Sequence, residues 1–131
     1  MNKFFNRWKT KGQEDLVTPK DEKIVFHLNY KNLLVGMLKL DDGIWGFQYS
    51  DDFKNQDRIK PLPDFPNLDK VYKSPELYPF FLHRIPSTKQ PKVQKEIQEH
   101  DIDPKNEVDL LRFFGLRSIS NPFLLTDVST Q

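Results

Sequence analysis

The chain has 131 residues, with 20 basic and 19 acidic side chains and a net charge of +1 at pH 7. That length is typical of one domain that can bury a core, and the balanced charge gives no field that would favour nucleic acid or an anionic membrane. The absence of cysteine excludes disulfides, thiolate metal sites and a cysteine nucleophile. No apolar run reaches the ~20 residues of a membrane span, and no signal-peptide core precedes the domain. We therefore expect a soluble cytoplasmic domain.

Residues 1–21 are predicted to form a basic and aromatic N-terminal extension. Four basic residues stand before residue 12, and all of them precede the first acidic residue, Glu14. Phe4, Phe5 and Trp8 would share one face if the first ten residues became helical. A helix of that length is marginal on its own in water. Two alternatives stay open: a solvated leader, or a peptide that orders against a partner or against the domain's own surface.

An antiparallel meander is predicted at the start of the domain. The predicted strands span residues 24–28, 33–40 and 44–49, from alternating or continuous apolar residues. Asp41-Asp42-Gly43 predicts a hairpin between the second and third strands, because Gly43 can adopt the positive φ that closes a tight turn. One face of such a sheet must be covered by the rest of the chain.

The remaining segments are predicted to supply that cover. Ser50 is expected to cap a short helical turn, and the proline-rich segment 60–66 is expected to run extended along an edge or across the surface. Predicted helices span residues 79–85, 91–100 and 104–114. The last of them is expected to have Asp103 as its N-cap, Pro104 at its first position and Gly115 just past its end. Residues 122–126 are predicted to form a final strand. The sequence thus predicts an α+β fold over residues 22–127, an antiparallel sheet covered on one face by three or four short helices, with a tail at 128–131.

The sequence offers no candidate catalytic, cofactor or metal site. The three histidines, His27, His83 and His100, fall on different predicted elements without metal-ligand spacing, and there is no phosphate-binding glycine loop and no nucleophile elbow. The acidic pairs 41–42 and 51–52 are accounted for by turn and cap chemistry. We therefore expect a protein that is not an enzyme.

Aromatic residues raise two binding hypotheses. Trp45, Phe47 and Tyr49 share one face of the third strand and would stack nucleic-acid bases if exposed, but their neighbouring strand supplies apolar residues, which favours a place in the core. Phe113 lies off the apolar stripe of the last helix, so we expect it at the surface, where an aromatic side chain more often marks a protein partner.

Several short motifs resemble the N-terminal subdomain of HipA-type toxin kinases, the segment that precedes their kinase lobes. The matching stretches are 34–38 (LVGML, family xVGxL), 47–49 with Phe53 (FxY…W/F), 61–66 (PLSxSLP), 78–81 (hPFF), 107–115 (dxfxLLxxxG) and 123–125 (closing strand). Each motif is weak alone, but their order and spacing make the resemblance specific. It departs at residues 84–88, where the family has LLPEG, and at 115–121, where the family has GxDxxGA. The kinase segments that follow in those enzymes have no counterpart here.

The resemblance implies a regulatory role. A separate copy of this subdomain is similar to the HipS-like antitoxins of HipBST-type systems, which implies binding to a HipT- or HipA-like serine/threonine kinase and, through the complex, association with a HipB-like DNA-binding protein. No direct contact with nucleic acid or membrane is implied. The expected partner-binding residues are the aromatic residue of the proline-rich segment, the loop after the second helix and the N-terminal aromatics: Phe65, Arg84, Ser87, Thr88, Lys89, Gln90, Phe4, Phe5 and Trp8. Alternatives are a nucleic-acid-binding accessory domain and a structural adaptor that does not inhibit.

Overall fold

The computed structural model describes residues 13, 15–118 and 121–128. Their elements, in chain order, are β1 (Ile24–Tyr30), β2 (Leu33–Asp41), β3 (Ile44–Tyr49), α1 (Asp51–Lys54), β4 (Tyr72–Ser74), α2 (Pro79–Leu82), α3 (Pro91–Glu99), α4 (Glu107–Phe114) and β5 (Leu124–Asp127). The strands form one antiparallel sheet in the order β4-β3-β2-β1-β5. The α+β prediction is confirmed.

The meander forms where the alternation predicts it. Both residues at the tip of the β2–β3 hairpin have positive φ, 53° at Asp42 and 76° at Gly43, which is the backbone geometry of a tight two-residue hairpin turn. Lys31 also has a positive φ, 55°, in the β1–β2 turn. A bulge at Leu28/Asn29 shifts the β1–β2 register by one residue, so the alternation of the two strands stays in phase only up to that point.

One face of the sheet carries the core. The inward-facing residues of the central strands are nearly inaccessible to solvent: Ile24, Phe26, Leu28, Leu38, Leu40, Trp45, Phe47, Tyr49 and Leu125. Gly36 lies in the same row, and a Cβ there would stand 2.5 Å from the Gln48 carbonyl oxygen and 2.7 Å from the ring of Phe47. The aromatic ring therefore occupies the space that a side chain at residue 36 would need.

Short helices and an irregular segment cover this face. Ser50 caps α1 by accepting a hydrogen bond from the Phe53 backbone N–H (3.0 Å), and the Phe53 ring stacks on Tyr49 with 4.7 Å between centroids. Helix α3 buries Val93 and Ile97, as its predicted apolar spacing requires. The predicted starts of α2 at Pro79 and of α3 at Pro91 are confirmed.

Three boundaries differ from the prediction. Helix α4 begins at Glu107, because the Asn106 side chain accepts hydrogen bonds from the backbone N–H groups of Val108 and Asp109. Asp103 closes a separate turn by accepting a hydrogen bond from the Lys105 N–H (3.0 Å). Helix α2 ends at Leu82, and the following residues continue only as turns. Strand β4 has no counterpart in the prediction; it forms by pairing with β3.

The described part of the predicted N-terminal extension packs on the domain. We call Gln13 and residues 15–18 the strap. The Gln13 side-chain amide donates hydrogen bonds to the carbonyl oxygens of Leu82 (2.8 Å) and Ile85 (3.0 Å). Thr18 Oγ1 donates to Glu107 Oε1 and accepts a hydrogen bond from the indole N–H of Trp45. The strap therefore joins the end of α2, the start of α4 and the sheet.

Candidate functional site

The first residue of the loop that is expected to contact a partner, Arg84, is buried inside the domain. Its side chain is 5% exposed. The guanidinium donates hydrogen bonds to the carbonyl oxygens of Gly115 (2.5 Å), Leu116 (2.9 Å) and Phe123 (2.8 Å), and to the Asn121 side chain (3.2 Å). The expectation that Arg84 reaches a partner is wrong, because its N–H groups already donate to backbone carbonyl oxygens of the segment after α4.

Burial also changes the chemistry of Arg84. Desolvation lowers its pKa to about 10 from the ordinary value of 12.5, since removing a cation from water disfavours its charged form. It remains charged at neutral pH, and two of its acceptors lie at the C-terminal end of α4, where the helix dipole favours a cation. The guanidinium therefore fastens Gly115, Leu116, Asn121 and Phe123 to the loop after α2.

The rest of the predicted loop lies at the surface. Ser87 and Thr88 are half-buried, and Lys89 and Gln90 are exposed. Thr88 and Lys89 line an open groove of 740 Å³ together with polar residues of α3 and of the turn before α4. The structure thus brings two of the predicted residues beside α3, but the groove mixes both signs of charge and has no buried polar group aimed into it that would identify a ligand.

Phe65 belongs to the core. The sequence predicts that an aromatic residue between two prolines has little core of its own to enter, but the side chain is 0% exposed. Its ring stacks on Phe47 with 4.1 Å between centroids and an interplanar angle of 20°, and it meets Tyr78 edge-on at 4.8 Å. Tyr49 ties the segment down, because its hydroxyl donates to the Phe65 carbonyl oxygen and accepts from the Leu62 N–H. The expectation of a partner anchor at Phe65 is wrong.

The two aromatic hypotheses have different outcomes. Trp45, Phe47 and Tyr49 are buried, so this row cannot stack on bases, and the preference for the core is confirmed. Phe113 is 39% exposed, as predicted, and its ring lies 4.6 Å from that of His100. The remaining predicted contacts, Phe4, Phe5 and Trp8, lie outside the described residues.

The sheet face opposite the core is the most extended surface that the described elements leave uncovered. We call it the open face; the strand pairing places on it Val25, His27, Asn29, Leu34, Met37, Lys39, Asp41, Ile44, Gly46, Gln48, Lys73, Leu124 and Thr126. Most of these side chains are half-buried or exposed, in contrast to the opposite row. This outcome agrees with the prediction that the opposite row, with Trp45, Phe47 and Tyr49, lies in the core.

Metal and membrane sites have no support in the described residues. Within them, no group of three or more histidine or acidic side chains is placed to hold a metal ion. The ring of His100 contacts Phe113, and His27 lies on β1. None of the helices in the described part of the chain has the length and apolar character needed to cross a membrane.

Comparison with known proteins identifies the family. The model of the HipA N-terminal domain matches residues 27–119, from within β1 to a few residues beyond α4. A comparison with curated proteins gave no match. The family match includes most of β1, the strands β2 to β4, all four helices and the buried Arg84, whereas β5 lies beyond its end. Because it covers most of the chain, this protein belongs to the HipA N-terminal domain family.

Proposed function

We propose that this HipA-related toxin–antitoxin component is a non-enzymatic antitoxin that binds the catalytic body of a HipA-type serine/threonine kinase and restrains it. The observation that carries the proposal is the family match over residues 27–119. In HipA-type kinases, the resembling segment precedes the kinase lobes, so a domain of this family is built to lie against a kinase body. A separate copy would use the same complementary surface in an interaction between chains.

The distribution of charged side chains supports binding rather than catalysis. Arg84 is engaged by three backbone carbonyl groups, and Glu107 accepts a hydrogen bond from the strap at Thr18. These two buried charged groups hold segments of the fold together, whereas a catalytic pair would converge on a shared cleft. The groove beside α3 that Thr88 and Lys89 line is open, and most of its lining side chains are half-buried or exposed.

Restraint of a kinase follows from binding by one of two physical routes. A standard protein–protein interface buries about 1,600 Å², and a domain seated beside the active-site cleft would block substrate access. Alternatively, binding would favour an inactive arrangement of the kinase lobes, by as much as the affinities for the two arrangements differ. Both routes require a stable complex, so complex formation is the first observable.

The test uses a HipA-type kinase from the same genome, produced without its own N-terminal domain. We expect the full chain to co-purify with it, to relieve the growth arrest that the kinase causes, and to reduce its phosphorylation rate in vitro. A stable complex with an unchanged phosphorylation rate would instead establish an adaptor that does not inhibit. Full toxicity in cells that contain both proteins, with no co-purification, would contradict the proposal.

A further inference from the structure

We infer that the open face of the sheet is the surface that docks on the partner kinase, and that it is complementary to an apolar patch bordered by carboxylates. This inference rests on the proposed function and adds the location and chemistry of the contact. It is carried by three properties of the open face: its apolar side chains, its unpaired lysines and its extent.

The open face is unusually apolar for a face that no described element covers. Antiparallel sheets with one solvated face normally alternate apolar residues inward and polar residues outward. Here β1, β2, β3 and β5 each direct apolar side chains outward: Val25, Leu34, Met37, Ile44 and Leu124. Ile44, which the strand pairing places on this face, is 40% exposed. An apolar patch on a sheet face marks an interaction surface.

The charge on the open face is positive. Lys39 and Lys73 flank Gly46 in one cross-strand row, and a Cβ at Gly46 would stand 3.5 Å from Lys73 Nζ, so the ammonium group lies over the sheet. Within the described residues, neither lysine takes part in a salt bridge. Asp41, at the hairpin end of β2, is the acid that the strand pairing places on this face. The complementary surface therefore carries acidic side chains.

The extent of the face fits a protein partner better than a nucleic acid. Five strands about 4.8 Å apart, with about five residues each, span roughly 400 Å², which is about half of the ~800 Å² that each partner contributes to a standard interface. The residues paired into this face include no phenylalanine, tyrosine or tryptophan on which a base could stack. Two lysines would neutralise few phosphates, so this face would contribute only weak binding to a nucleic acid.

The experiment measures affinity for the same kinase body with two matched pairs of variants. The charge pair compares Lys39→Glu/Lys73→Glu on the open face with Lys92→Glu/Lys95→Glu on α3, where both lysines are exposed. The apolar pair compares Ile44→Asp with Val17→Asp, because these two side chains are 40% and 54% exposed but lie on the open face and on the strap. Urea unfolding of each variant confirms that it is folded before its affinity is measured.

We expect each open-face variant to weaken kinase binding by about tenfold or more, and each matched control to bind within about twofold of wild type. Wild-type affinity in both open-face variants, with wild-type binding intact, would overturn this inference and leave the proposed function standing. Failure of the wild-type chain to bind any such kinase would instead remove the proposed function. Binding of single-stranded DNA at low salt that is lost in Lys39→Glu/Lys73→Glu, without kinase binding, would assign the face to nucleic acid and contradict the inference.

Discussion

The substitution Phe65→Ala distinguishes between two roles of this residue, a place in the core and an anchor for a partner. The ring is 0% exposed, stacks on Phe47 at 4.1 Å, and meets Tyr72 and Tyr78 edge-on at 5.0 and 4.8 Å. Truncation of a buried phenylalanine typically costs about 3–5 kcal/mol, through lost burial and the cavity that remains. Domains of this size have about 5–15 kcal/mol of stability in total, so Phe65→Ala should remove a large share of it.

Urea unfolding followed by circular dichroism measures this loss. With a slope of about 1.5 kcal/mol per molar urea, a loss of 3–5 kcal/mol lowers the midpoint by about 2–3 M. Phe113→Ala is the control, because that ring is 39% exposed and its removal should cost less than about 1 kcal/mol. An unchanged midpoint for Phe65→Ala, combined with lost kinase binding, would refute the assignment of this ring to the core and restore it to the partner surface.

Three further changes test the packing and electrostatics of the sheet and its cover. Gly36→Ala should lower the free energy of unfolding by about 1–3 kcal/mol, because its Cβ would stand 2.5 Å from a backbone oxygen of β3. The control is Gly46→Ala, whose Cβ would have its nearest atom 3.4 Å away, and it should cost less than about 0.5 kcal/mol in the same urea titrations. Arg84→Lys should cost about 1–3 kcal/mol, because the donors of an ammonium share one nitrogen and cannot reach the carbonyl groups that Nε and Nη2 of the guanidinium bind from separate positions. Unfolding midpoints measure the loss, and a neutral result would contradict the role given to these hydrogen bonds. Burial raises the pKa of Tyr49 to about 12, so the unfolded chain loses this proton first, and the contribution of Tyr49 to stability should fall by about 2 kcal/mol as the pH rises from about 10 to 12. Tyr49→Phe should reduce that pH slope by the contribution of one proton, and an unchanged slope would show that the hydroxyl is not buried as described.

Elements with strong local signals could be predicted from the sequence. The central hairpin depends on Asp42 and Gly43, whose positive φ values need only these two residues. Helix α3 depends on Pro91 at its start and on the spacing of Val93 and Ile97. In both cases the residues that determine the structure are within a few positions of one another, so a short window of sequence contains the necessary information.

Elements that depend on distant contacts could not be predicted in the same way. Strand β4 has three residues and forms only against the first half of β3. The start of α4 offers two plausible N-caps, Asp103 and Asn106, with similar local chemistry. The Glu107 backbone N–H donates to the Val17 carbonyl oxygen, 3.1 Å away, in the strap. That contact joins residues about ninety positions apart, and it accompanies the later of the two possible starts.

The same physical reason explains why the predicted partner contacts moved into the core while an unpredicted face became the docking candidate. Arg84 is a charged residue in a loop, which normally indicates exposure, but its acceptors are backbone carbonyls 31–39 residues further along the chain. Alternation along β1 and β3 separates two faces of the sheet, and the aromatic row of β3 favours one of them for the core, but alternation does not identify the segments that cover it. Once the aromatic rings of β3 are packed under Phe65, the opposite face, with Met37 and Lys39, is left without a covering element among the described residues. In the proposed complex, its apolar side chains would leave water against the kinase, and the unpaired lysines would favour carboxylates on that surface.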